Sequence, residues 1–271
     1  MSRPVIALLT DFGVRDHYAG TMKGVILGIC PDAALVDISH DVPAHDVLAG
    51  ALELAACYQY FPAGTVFLVV VDPGVGSARR GIAVEAGDYK FVAPDNGVLS
   101  AVARDLPQMR VVELSDTRYA RPIVSRTFEG RDRFAPAAAW LAKGVDVAAL
   151  GPDIGTLHRL SITTPAIEPG SGVVLGEVVR VDRFGNLITN IDRGICDRLD
   201  PSNVPCGGAI EIAVGGHQVR RLVSTYADVA AGEICALFGS SDHLEIAANG
   251  ASAAALLGLG RGAAVRVLRR A

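Results

Sequence analysis

Six consecutive residues, Val66-Phe67-Leu68-Val69-Val70-Val71, carry no polar side chain, and Asp72 follows at once. A strand with one wet face alternates apolar and polar residues, so an unbroken valine-rich run marks a strand covered on both faces. Such strands lie at the centre of a sheet flanked by helices, where ligands bind beyond the strands' carboxyl ends. The run therefore predicts an α/β layer with a rigid support beneath Asp72. Val5–Thr10, Ala33–Ile38, Gly81–Glu85 and Phe91–Ala93 read as further strands of that layer. Between and after them, Tyr18–Ile29, Asp46–Tyr60 and Arg131–Ala142 place apolar residues at helical spacing.

After Gly151 the pattern changes. Pro165, Pro169 and Gly170-Ser171-Gly172 suggest a linker, and beyond it short strands follow at Val173–Val181, Ala209–Val214, Gln218–Val223, Ile234–Phe238 and Ala263–Leu268. Many short strands at that spacing suggest a small barrel. The 271 residues thus divide into an N-terminal α/β domain over 1–165, built on a central, mostly parallel sheet, and a smaller C-terminal β-barrel domain over 172–271.

Charge narrows the possible partners. Lys plus Arg is 25 against 29 Asp plus Glu, a formal charge of −4, which supplies no basic footprint for a phosphate backbone and sets nucleic acid aside. Cys30, Cys57, Cys196, Cys206 and Cys235 form no CxxC pair and fall mostly in apolar surroundings, the pattern of buried thiols in a reducing, cytoplasmic compartment. Val5–Leu9 is too short for a signal-peptide core, and the apolar stretch from Ile246 to Gly260 is broken by Asn249, Ser252 and glycines, so no membrane span is expected. His40 and His45, each followed by an aspartate, fit no standard ligand spacing, and Asp46 reads as a helix cap, so no metal is expected.

Polar residues gather at a few strand exits. Leu8-Leu9-Thr10-Asp11-Phe12-Gly13 delivers a carboxylate at the end of a buried strand, suited to a sugar diol or, equally, to capping the next helix. Asp72-Pro73-Gly74-Val75-Gly76-Ser77-Ala78-Arg79-Arg80 is a glycine-rich loop with an acid at its head and a guanidinium seven residues later. Folded back, it sets Asp72 beside Arg79, a pair able to polarise a water or to serve as a structural ion pair. Ala93-Pro94-Asp95-Asn96-Gly97 reads as a turn and nothing more. Thr127-Phe128-Glu129-Gly130-Arg131-Asp132 leads into a helix, with Asp132 a candidate cap; read alone it is helix-start chemistry, with Glu129 as a second acid near the same pocket the alternative. Asp182, Phe184 and Asn186 share a strand turn that can meet an amino-acid headgroup and stack on a base, although a β-bulge turn uses the same residues. Ser240-Ser241-Asp242-His243-Leu244-Glu245 adds short polar groups suited to a zwitterion.

In order along the chain, LLTDFG, KGVILGICPDAALVDISHDV, VVVDPGVGSARR, FVAPDNG, TFEGRDRFAPAAAWLA, VDRFGNLITNI and HLEIAANGASAA resemble the S-adenosylmethionine (SAM) hydroxide adenosyltransferases, the SAM hydrolases related to fluorinase and chlorinase. The resemblance runs from about residue 5 to 268. It implies a two-domain chain that forms a homotrimer, with SAM bound between one subunit's N-terminal domain and a neighbour's C-terminal domain. The implied reaction is attack of water or hydroxide on the 5′ carbon of SAM, giving adenosine and L-methionine without a cofactor. By the same resemblance Asp11 grips the ribose hydroxyls, while Asp72 and Arg79 belong to an Asp-Arg-His set that activates water. Asp182, Phe184, Asn186 and Ser240 meet the methionine and adenine portions, and Phe128, Tyr226 and Glu245 complete the substrate-binding set. The third activating position, histidine in a TFHGRD string, is Glu129 here.

Sulfonium chemistry bears on which reaction such a site supports. The leaving group departs as a neutral thioether and needs no acid, so the barrier lies in aligning water behind the 5′ carbon and removing its proton. A halide site has to be dry and neutral, and a carboxylate beside it repels the nucleophile. Asp72 therefore favours water over halide. Glu129 either adds charge where hydroxide forms or is itself the base. A SAM- or adenosine-binding module without turnover is the alternative from another class, and a SAM-dependent halogenase is the other enzymatic one.

Overall fold

A computed structural model describes residues 3–169, 171–199 and 210–269. The chain separates into two compact units, Met1–Ile162 and Thr163–Ala271.

In the first unit the elements are β1 (Val5–Thr10), α1 (Tyr18–Ile29), β2 (Ala34–Ser39), α2 (Val47–Cys57), β3 (Val66–Val70), β4 (Gly81–Ala86), β5 (Tyr89–Pro94), α3 (Ser100–Asp105), β6 (Met109–Glu113) and α4 (Ala135–Ala142). They form one sheet in the order β2-β1-β3-β5-β4-β6. The first four of these strands run parallel, β4 runs against them, and β6, antiparallel to β4, returns to their direction. Every residue of β3 is buried, as its unbroken apolar run requires. Alternate residues of β1 and β3 serve two cores. Ile6, Leu8, Leu68 and Val70 pack with Met22, Ile26 and Ala138, whereas Ala7, Leu9, Phe67 and Val69 pack with Leu54 and Val102. Asp46 caps α2, its carboxylate accepting Ala49 N–H at 3.0 Å, and the helix gives way to a 3-10 turn at Tyr58–Tyr60.

One expected helix is built differently. Gly130–Phe134 forms a π turn, closed by Ala135 N–H on Gly130 O, and α4 starts only at Ala135. Pro136 has no N–H to give the Asp132 carbonyl, which accepts Arg121 N–H instead, at 2.8 Å. Asp132 caps no helix. Its fully buried carboxylate accepts Ser125 N–H at 2.9 Å and pairs with Arg131 at 2.7 Å, which organises the loop before the turn.

The second unit holds β7 (Ala166–Glu168), β8 (Val173–Val181), β9 (Leu187–Asp192), α5 (Arg193–Leu199), β10 (Ile210–Val214), β11 (His217–Val219), β12 (Ile234–Phe238), β13 (His243–Ala248), α6 (Ala253–Leu257) and β14 (Ala264–Arg269). Its antiparallel order is β11-β10-β14-β8-β9-β13-β12, with β7 beside β8. Beyond β11, Leu222 bridges Ala236 of β12, so the sheet nearly closes into a barrel around Val174, Leu187, Val214, Ile246 and Val267. Three expectations change here. The linker contains a strand, because Ala166–Glu168 pairs with the start of β8. The strand expected over Gln218–Val223 shortens to β11 and continues as an irregular edge. The polar segment at 240–245, read only as pocket residues, is the turn after β12 and the start of β13, which pairs between β12 and β9. Ala209, Gly170 and Cys206 lie outside the described residues.

Among the described residues no helix is long and apolar enough to cross a membrane. Of the described cysteines, Cys30, Cys57, Cys196 and Cys235, none is in a disulfide.

Candidate functional site

β3 hands the chain at the centre of the sheet to the loop 71–80. Gly76 takes φ +77°, and a Cβ there would lie 2.5 Å from the Arg126 carbonyl oxygen, so only glycine lets the loop lie against the segment that leads to Glu129. Arg126 Nη2 donates to Gly76 O at 3.0 Å and fastens the two together.

The loop folds Arg79 back onto Asp72. Arg79 Nε donates to Asp72 Oδ1 at 2.8 Å, and Nη2 donates to Asp72 Oδ2 in a still shorter bond. Arg79 Nη1 donates to Glu129 Oε2 at 2.8 Å. The three side chains are only 9% (Arg79), 5% (Asp72) and 11% (Glu129) exposed. Two carboxylates therefore share one guanidinium, an array with one negative charge in excess. The Phe134 ring supports the guanidinium at 5.3 Å from its centroid. Burial opposes the charge on Arg79, but the Asp72 hydrogen bonds and the charges of Asp72 and Glu129 outweigh it and hold the pKa above the usual arginine value. Arg79 is thus a fixed cation. Among the described residues Arg79 is the one hydrogen-bond partner of the Glu129 side chain, and it occupies Oε2, whereas both oxygens of Asp72 are taken.

Beside the array lies a cavity of about 140 Å³, lined by Asp72, Glu129, Val70, Val75, Thr127, Gly130 and the rings of Phe12, Tyr18 and Phe128. The rings brace one another, with Tyr18 and Phe128 edge-on at 5.0 Å and Phe12 and Phe128 at 6.1 Å. Tyr18 and Thr127 escaped the sequence reading as cavity residues. The available signal was an aromatic at the start of the helix after the strand-end acid, which calls equally for a core residue. Asp11 stands one residue before Phe12 and is no helix cap: it accepts His45 N–H at 2.8 Å, while α1 begins at Tyr18 without a side-chain cap. His40 bonds Thr10 Oγ1 at 2.8 Å and Asp37 at 3.0 Å, and the described residues bring together no group of three or more His, Cys, Asp or Glu that could hold a metal.

The second unit carries its own polar cluster. Asp182 Oδ1 accepts the backbone N–H groups of Phe184 (2.9 Å) and Asn186 (2.8 Å), and its Oδ2 accepts Asn186 Nδ2 at 2.9 Å. The turn thus consumes its own acid, and Gly185, φ +84°, lets Phe184 stand 76% exposed. Tyr226 donates its hydroxyl to buried Glu245 at 3.1 Å. Burial pushes the Glu245 carboxyl up, the Asp182 charge adds to it, and the Tyr226 bond and the Arg180 and His243 charges oppose. Burial and Glu245 together push the Tyr226 phenol up to about 12. Gly239, next to Ser240, lies so close over the Glu245 carboxylate that a Cβ there would overlap it. Asp182, Asn186, Tyr226 and Glu245 therefore form one group, with Ser240 at its edge.

Comparisons with known proteins agree along the whole chain. The profile of the SAM hydroxide adenosyltransferase N-terminal domain matches residues 6–151, and that of the C-terminal domain matches residues 176–266. The (R)-S-adenosyl-L-methionine hydrolase of Thermus thermophilus is 39% identical over 98% of this chain and 100% of its own. The protein of the same name from Salinispora tropica is 38% identical over 97% of each. A solved structure of an uncharacterized conserved protein from Thermotoga maritima, 36% identical, covers 97% of this chain and 100% of its own with a TM-score of 0.91.

Proposed function

Because the chain belongs to the SAM hydroxide adenosyltransferase family, we propose that it hydrolyses S-adenosyl-L-methionine to adenosine and L-methionine by attack of water on the ribose 5′ carbon. The relatives named for the (R) epimer at sulfur point to that epimer as substrate. One observation carries the reading: Asp72 and Glu129, joined by the buried Arg79 guanidinium, line one aromatic-walled cavity.

Its excess negative charge suits a sulfonium cation and repels halide. Water adds to the 5′ carbon as the carbon–sulfur bond breaks, sulfur keeps the electron pair, and the water's proton passes to Glu129 Oε1 and then to solvent. Arg79 holds the two carboxylates in register from behind the cavity wall, and Asp72 orients the nucleophile. The atoms balance with water alone, so no cofactor is needed.

Sites for drug-sized ligands span about 300–1,000 Å³, whereas the cavity holds about 140 Å³, enough for the sugar and a water. We assign the remainder to the cluster of Asp182, Phe184, Asn186, Tyr226, Ser240 and Glu245 on a neighbouring copy in a homotrimer, with Asp11 on the ribose. A reducing, cytoplasmic setting, as the cysteine spacing suggests, belongs to the same proposal.

The test supplies each sulfonium epimer to the purified protein and follows adenosine by chromatography. Turnover of the (R) epimer is expected, reduced about 10²–10⁴-fold in Glu129→Gln and retained in Glu129→His. Binding of SAM without adenosine makes the protein a binding module, and 5′-chloro-5′-deoxyadenosine formed in chloride makes it a halogenase; either result overturns the proposal.

A further inference from the structure

The turn Ala93-Pro94-Asp95-Asn96-Gly97 lines no part of the cavity, yet its position in the sheet is telling. β5 lies between β3 and β4, so the loop 71–80, which leaves one and enters the other, has to cross the end of β5. The loop is poor in packing groups, with Gly74, Gly76, Ser77 and Ala78 in its span and Val75 37% exposed. Asp95 and Asn96 fasten it at both ends. Asn96 Nδ2 donates to Val71 O at 2.8 Å, the carbonyl directly before Asp72. Asp95 Oδ2 accepts Arg80 Nε at 3.0 Å and Nη2 at 2.5 Å, directly after Arg79. Asp95 N–H donates to Arg80 O at 2.9 Å, and Arg79 Nη1 approaches that same carbonyl at 3.5 Å.

The turn is itself held. Asp95 Oδ1 accepts His158 N–H at 2.6 Å, and the Asp95 side chain is 3% exposed. Val98 N–H on Asn96 Oδ1, at 3.2 Å, fixes which way the amide faces, so Nδ2 is the group aimed at Val71.

We propose that Asp95 and Asn96 are positioning residues for hydrolysis: they fix the backbone on either side of the Asp72–Arg79 pair and so keep its charges in register with Glu129. The proposal rests on the catalytic reading of that array. Misplacing a catalytic group by about 1 Å costs about 10²-fold in rate, so a loop anchored at one end only would lose turnover before it lost substrate.

Steady-state kinetics on Arg80→Gln, Arg80→Lys and Asn96→Asp test this, with Asp72→Asn as the marker for the array. Arg80→Gln and Asn96→Asp should lower kcat about 10- to 100-fold with KM within about threefold, and Arg80→Lys should recover part of the loss. The Arg80 side chain is 37% exposed, so its replacement leaves the core intact if Asn96→Asp fails to fold. A clamp that acts through the array adds less than about twofold once Glu129 is Gln, whereas general damage multiplies the losses in full. Wild-type kcat in folded Arg80→Gln, or full multiplication in the double variant, overturns the clamp while Asp72→Asn remains inactive. Wild-type turnover in Asp72→Asn overturns the catalytic reading itself.

Discussion

Which carboxylate takes the proton is a question of hydrogen bonds already spent. Asp72 gives both oxygens to the Arg79 fork and Glu129 gives one, so the proposed hydrolysis assigns the proton to Glu129 and leaves Asp72 as its fixed companion. Arg79→Lys keeps the charge but loses the fork; kcat should fall about 10²-fold while binding of SAM, read by calorimetry, is held. Gly76→Ala places a methyl 2.5 Å from the Arg126 carbonyl oxygen at φ +77° and should lower stability by about 1–3 kcal/mol in denaturant unfolding. Glu245 makes a pH prediction in the second unit. Its folded pKa is raised above the unfolded value of 4.5, chiefly by burial, so its contribution to stability is full below 4.5 and is lost as pH rises through the folded value. Glu245→Gln has no proton to lose, and its melting temperature should gain on the wild type as pH rises from 4.5 to 7. A constant difference would contradict that account.

The elements that carry the site were the easiest to read. β1, β3 and β4 are apolar and buried along almost their whole length, so composition alone marks them. The short β6 and α3, of five and six residues, lack the length over which a period declares itself. β7 hides between two prolines because a three-residue strand at the margin of a sheet tolerates them. The π turn before α4 leaves no local signature, since Pro136 announces a helix start and only the Arg121 bond to the Asp132 carbonyl shows where its ladder is broken. That turn leans on Asp132. Burial alone would raise the Asp132 pKa, but Arg131, the Ser125 N–H and Arg121 together hold it below 3.8, so this support is present above 3.8 and is lost as pH falls through the folded value. Asp132→Asn should cost about 3 kcal/mol at neutral pH and flatten the acid limb of the stability profile.

For the molecule as a whole, the seven-residue spacing marks Asp72 as able to meet Arg79, whereas no spacing places Glu129, fifty residues from Arg79, and its role comes only with the family resemblance. The part played by Asp95 and Asn96 was hidden, because it depends on β5 entering the sheet between β3 and β4, an order that no local pattern encodes. The proposed trimer has a functional signature. If, as proposed, each site joins Asp72 of one subunit to Asn186 of another, unfolding and refolding Asp72→Asn and Asn186→Ala together at equal amounts should restore about a quarter of wild-type activity, although each variant alone is inactive. Continued inactivity would place the whole site within one chain.

Turnover of SAM in oxygen-18 water, with mass analysis of the adenosine, shows whether the proposed array delivers water to the ribose 5′ carbon. One labelled oxygen per adenosine is expected from the first turnover of the wild type, with the product nearly absent in Glu129→Gln. Unlabelled adenosine in a single turnover would mean that a protein carboxylate attacks the carbon first, and labelled adenosine formed equally fast without Glu129 would remove it as the base.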